Sequence, residues 1–152
     1  MKKIIAIAGL SALCVTSLFA FDANNPKTFV VKRMQAYSAI ENKDYAKGVQ
    51  YMNELFARTK DASRILGSDY LYLGKALQAT GNDSLAVINI TKGVELDTTK
   101  VEELAVVGKS LFDAKKYDKA AQVYRKVISL NSKNPSMAMN NFFLGLSDYY
   151  TY

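Results

Sequence analysis

Apolar positions along the chain fall at helical spacing in paired short runs. One run extends from Tyr70 to Leu77 and the next from Ala86 to Leu96, with Gly81-Asn82-Asp83 punctuating between them. That segment predicts two helices joined by a tight turn. The pattern then returns: Leu73-Gly74-Lys75 is echoed by Val107-Gly108-Lys109, 34 residues later. The same shift superposes Leu77 on Leu111, Ala86 on Ala120, Ile90 on Tyr124, Lys92 on Lys126, Val94 on Ile128 and Leu96 on Leu130. A period that preserves side-chain size predicts stacked units, and each unit is an antiparallel helical hairpin.

The units can be bounded along the chain. The first has one helix from about 28 to 42 and a partner from about 44 to 57, followed by a longer loop over 58–62. The second spans about 63–97 and the third about 99–131. Thr99 followed by Glu102 reads as a capping box at a helix start. Ser132-Lys133-Asn134-Pro135 stretches the next interval to 37, which places Leu144-Gly145-Leu146 in the last helix, 137–152. That helix reads as the first of a fourth hairpin whose second helix is missing. Solenoids cover their last apolar face, so a partner is expected there: the remainder of a longer chain, which is the favoured reading, a second copy through self-association at 137–152, or a bound partner protein.

These residues resemble the tetratricopeptide repeat family. Its Leu-Gly pair, turn Gly, entering Asp-Tyr, Ala, aromatic and closing Leu-Asp-Pro are matched by Leu73-Gly74, Gly81, Asp83, Ala86, Ile90 and Leu96-Asp97 in one unit. The next unit supplies Gly108, Tyr117, Ala120, Tyr124 and Leu130-Asn131, and the first supplies Asp44-Tyr45, with Gly48 and Met52 at the Ala and aromatic positions. The closing Pro is replaced by Thr98 and Ser132. The resemblance implies an all-α, right-handed superhelix of antiparallel hairpins, with Gly74, Ala86, Gly108, Ala120, Tyr124 and Gly145 as packing positions. It also implies a concave groove lined by first helices, where a peptide or partner protein binds. Carried over by position, the groove presents Arg33, Tyr37 and Ile40, then Leu71, Lys75 and Gln78, then Ala105, Lys109 and Phe112, and finally Phe142, Leu146 and Tyr149. The Asn residues with which some relatives grip a C-terminal carboxylate are absent, Met34 and Tyr72 standing in their places. The cations of the groove favour acidic or amphipathic segments.

The first 20 residues read differently. Lys2 and Lys3 precede an apolar run from Ile4 to Val15, and Ser17-Leu18-Phe19-Ala20 leads into a polar stretch. This layout predicts a secretory signal peptide over 1–20, cut after Ala20, and a linker over 21–27 before the domain at 28–152. A lipoprotein anchored at Cys14 is disfavoured by Leu13, since a small residue normally precedes such a Cys. Without its leader the chain has no cysteine and no candidate membrane span. Export without disulfides suits the periplasm or envelope of a bacterium.

Composition narrows the chemistry. The 152 residues are 49% hydrophobic and 22% charged, with no His and no Trp, enough apolar material for one core. No His is present for acid–base work near neutral pH, and no metal-ligand cluster or phosphate loop appears, so neither cofactor, metal nor catalysis is expected. Glu102-Glu103 is an adjacent carboxylate pair, but helix neighbours do not face each other. The formal charge of +6 falls to +4 when Lys2 and Lys3 leave with the leader. The remaining lysines are scattered, which argues against nucleic acid. The expected function is a noncatalytic protein-interaction scaffold or adaptor of a bacterial envelope; the alternative is a docking domain of a longer envelope enzyme or assembly factor.

Overall fold

The computed structural model describes residues 25–130 and 135–152. The leader, Cys14 and linker residues 21–24 lie outside them, as do 131–134. Within the described residues the chain is all-α, with no strand: α1 Pro26–Glu41, α2 Tyr45–Arg58, α3 Gly67–Ala79, α4 Asp83–Leu96, α5 Val101–Asp113, α6 Tyr117–Leu130 and α7 Met137–Thr151. None of these helices is long and apolar enough to cross a membrane. α1 begins at Pro26, two residues before the expected start. Proline is preorganised for the first helical position, and the Asn25 side chain accepts from the Lys27 amide at 3.0 Å.

Three turns set the register. Lys43, Gly81 and Lys115 have φ of 63°, 81° and 59°. In each case the next amide bonds back to the helix: Asp44 N–H to Ala39 O at 2.8 Å, Asn82 N–H to Leu77 O at 2.8 Å and Lys116 N–H to Leu111 O at 2.9 Å. This satisfies the last carbonyls of α1, α3 and α5. Counted from these turns, Ala36, Gly74 and Gly108 are equivalent, as are Gly48, Ala86 and Ala120, and Met52, Ile90 and Tyr124; all nine are buried.

Small residues let the two helices of a hairpin close on each other. A Cβ on Gly74 would overlap Ile90, one on Gly48 would overlap Ile40, and one on Gly108 would lie 3.0 Å from Tyr124 Cζ and 3.1 Å from Val123 Cγ1. Two apolar clusters result. One joins the first hairpin to α3 through Phe29, Ile40, Met52, Leu55, Leu73 and Leu77. The other runs from Leu71, Ile90 and Val94 through α5 and α6.

Two local expectations are corrected. Thr99 does not cap α5. Residues Thr98–Lys100 form a single 3₁₀ turn, in which Asp97 Oδ1 accepts from the Thr99 amide at 3.1 Å and its hydroxyl at 2.6 Å. Gly145 is not a close-packing position either: it is exposed, and no described residue comes within 4 Å of where a Cβ would stand. Buried Asn140 and Ser147, with half-buried Phe143 between them on α7, superpose on Leu104, Leu111 and Val107 at an interval of 36, not 37. Gly145 therefore occupies the exposed position of Lys109, one residue round the helix from that of Gly108.

Candidate partner-binding groove

The first helices carry most of the polar side chains that the groove was expected to present. Arg33 donates from Nε to Asp69 Oδ1 at 2.7 Å, and from Nη2 to Asp69 Oδ2 at 2.8 Å and to the Arg64 carbonyl at 2.6 Å. Asp69 is 0% exposed, and its Oδ2 also accepts from the Leu66 amide at 2.8 Å. The Tyr37 hydroxyl donates to Asp69 Oδ1 at 2.7 Å and lies 2.9 Å from Ser68 Oγ. Burial pushes that hydroxyl well above the usual tyrosine range. The Tyr37 ring stacks on Tyr72 at 3.9 Å, and Tyr72 donates to Glu41 Oε1 at 2.6 Å, a bond to a carboxylate that raises its own pKa. Arg33 and Tyr37 are thus bound into the joint between the first two hairpins.

The two lysines stand further out. Lys75 Nζ lies 3.0 Å from Glu103 Oε2, and Lys109 Nζ lies 2.7 Å from both oxygens of Asp113 and 5.5 Å from the Phe143 ring centre. Each cation expected in the groove therefore has a carboxylate of this chain beside it. A surplus of positive charge does not arise from Arg33, Lys75 and Lys109, and the expected electrostatic preference for acidic segments loses its basis. Gln78 and Phe112 are half-buried, Phe112 meeting Phe143 and Tyr150 edge-on at 5.3 and 6.2 Å. Phe142 is 56% and Tyr149 74% exposed, on the side of α7 turned away from α6.

Between α5 and α7 lies an open groove of about 370 Å³, with Ala105, Val106 and Lys109 on one wall, Met139 and Phe143 on the other, and Tyr124 beneath. Val106 is 64% and Met139 57% exposed, so the rim of the groove is apolar on both sides. The floor is apolar. Burial pushes the Tyr124 hydroxyl up to about 12, aided by the Asp113 carboxylate, and its ring stacks on Phe143 at 5.6 Å. Val106 and Met139 were not among the expected groove residues. An exposed apolar residue inside a helical pattern carries no sequence signal that separates it from core. A second, larger depression of about 590 Å³ lies on the outer side of α1 and α2, lined by Val30, Val31, Met34 and Tyr51; it sits at the end of the stack, not between units. Among the described residues no group of three or more potential metal ligands comes together.

No described protein family and no characterised protein sequence matches the chain. Solved structures do share its fold. The type III secretion chaperone SycD of Yersinia enterocolitica, crystallised in complex with a peptide of the translocator YopD, superposes with a TM-score of 0.60 over 85% of this chain and 98% of that one, at 14% sequence identity. At that identity the likeness shows a common helical-repeat fold, built from hairpins in the same way.

Proposed function

We propose that this protein is a noncatalytic, tetratricopeptide-like scaffold or adaptor, exported to a bacterial cell envelope, which holds an apolar or amphipathic segment of a partner protein between its first helices. The observation that carries this reading is the groove between α5 and α7, where exposed Val106 and Met139 flank an aromatic floor. The groove is open along its length, which suits a chain better than a small molecule that needs enclosure on most sides. A relative in fold that was crystallised with a peptide supports the same reading. The leader layout at 1–20 supports export; an N-terminus at Phe21 on protein from the native host is the expected outcome, and retention of Met1 would end the envelope assignment. A photo-crosslinking residue at Val106 or Met139 should trap a discrete partner in intact cells, whereas one at exposed Ile88 on α4 should not. Trapping through Ile88 alone would move the binding surface to the second helices.

A further inference from the structure

The three hairpins share one packing device. Gly74 lies against Ile90, which follows the small residue Ala86 by four; Gly108 lies against Tyr124, which follows Ala120 by four; and Gly48 lies against Ile40, which follows Ala36 by four. In each, a small residue on one helix receives the large side chain that stands one turn beyond a small residue on its antiparallel neighbour. Side chains four apart share a helix face, so the device needs only a small residue on one helix and, on its antiparallel neighbour, a large residue one turn after a small one.

α7 carries the pair on a face that none of the described residues covers. Gly145 is open to solvent, and Tyr149, four residues on, is 74% exposed. Phe142 and Tyr152 continue the same strip at 56% and 107% exposure, opposite the side that packs on α6 through Phe143 and Ser147. The single charged side chain of α7, Asp148, is tied to Arg125 at 2.5 Å, so two such strips can meet without opposing like charges. We infer that α7 is the interface of a two-fold dimer, in which the α7 helices of two copies cross antiparallel and each Tyr149 seats on the partner's Gly145. A two-fold axis makes the contact self-complementary, and the strip holds both halves of it. A foreign helix would need only the matching half; the presence of both on one strip favours a second copy. The groove walls Val106 and Met139 are not part of this interface.

The test rests on a substitution that the isolated protomer tolerates. A Cβ at Gly145 meets nothing within 4 Å, and leucine is a better helix former than glycine. Gly145→Leu should therefore leave helicity intact and thermal melting of the monomer unchanged or higher. In the dimer it fills the seat of Tyr149 and should raise the dissociation constant by about tenfold or more. Sedimentation equilibrium on the purified protein should show a reversible monomer–dimer equilibrium. Tyr149→Ala should weaken it as well, and Val30→Asp at the far end of the stack should leave it unchanged. A monomer at every concentration, a dimer that Gly145→Leu does not weaken, or one that breaks on Val30→Asp would overturn the proposal.

Discussion

At the joint between the first and second hairpins, Arg33 and Tyr37 on α1 close on Asp69 of α3. The equivalent positions at the next joint are Leu71 and Lys75 on α3, and Glu103 on α5. With an arginine available, the carboxylate is drawn fully inside, where it accepts from a guanidinium, a phenol and a backbone amide. With Leu71 in that place the interior stays apolar, and the carboxylate remains at the surface, paired with Lys75 at 3.0 Å, both partners well exposed. One repeat geometry is thus held by two kinds of chemistry. The polar joint also takes in the loop before α3, because Arg33 bonds the Arg64 carbonyl, so a connection too long for the repeat is tied down by the same side chain. A buried pair of this kind is costly to break from one side, whereas an exposed pair contributes little.

The largest effect that separates the two joints is expected from Asp69→Ala, which leaves the Arg33 guanidinium without its carboxylate in a site where it is mostly enclosed. A loss of about 3 kcal/mol is expected, read by urea unfolding. A change under 1 kcal/mol would mean that water enters the joint freely. Next comes the packing inside hairpins, where Gly108→Leu should cost about 1–3 kcal/mol or more by crowding Val123 and Tyr124. Gly74→Ala should cost more than Gly108→Ala, since its Cβ would overlap Ile90 near the base of that side chain. Thermal melts followed by circular dichroism rank these three variants, and a smaller loss for Gly74→Ala than for Gly108→Ala would contradict the close approach at Gly74.

Alkaline titration provides a third distinction. Tyr37 and Tyr124 have folded pKa values above the ordinary tyrosine value of about 10. The folded state therefore holds their protons more tightly than the unfolded one. Their contribution is full below pH ~10 and is lost as pH rises through the folded values. Stability should fall above pH ~10, with tyrosinate absorbance appearing together with loss of helicity for these two residues. Tyr37→Phe should make that fall shallower; an equal slope would exclude Tyr37 as a contributor. The smallest effect is expected from Glu103→Gln at the second joint, about 0–1 kcal/mol and vanishing in high salt.

The hairpins were legible because close packing leaves a size pattern in the chain: Gly74, Gly108, Ala86 and Ala120 are small for reasons that recur with each unit. The turns were only partly legible. Gly81 announces its left-handed backbone, whereas Lys43 and Lys115 adopt the same conformation without the residue type that favours it. The Arg33–Asp69 joint was hidden because its partners are 36 residues apart in different units, and an arginine on a first helix reads as a surface charge. On α7, a Leu-Gly dipeptide suggested the wrong register. A Gly is informative where another helix approaches it, and among the described residues none approaches Gly145. The same ambiguity hid Val106 and Met139, since helical periodicity marks a face as apolar but not whether another part of the protein covers it.

The central claim is that the gap between α5 and α7 receives a partner segment. The most direct measurement is a backbone-amide NMR titration with a synthetic peptide copying the segment trapped through Val106 or Met139. The account predicts saturable shifts concentrated at 102–109 and 136–143, with the amides of α2 and α4 little changed. Shifts confined to α4 and α6, or no saturable response from the α5–α7 walls, would contradict it.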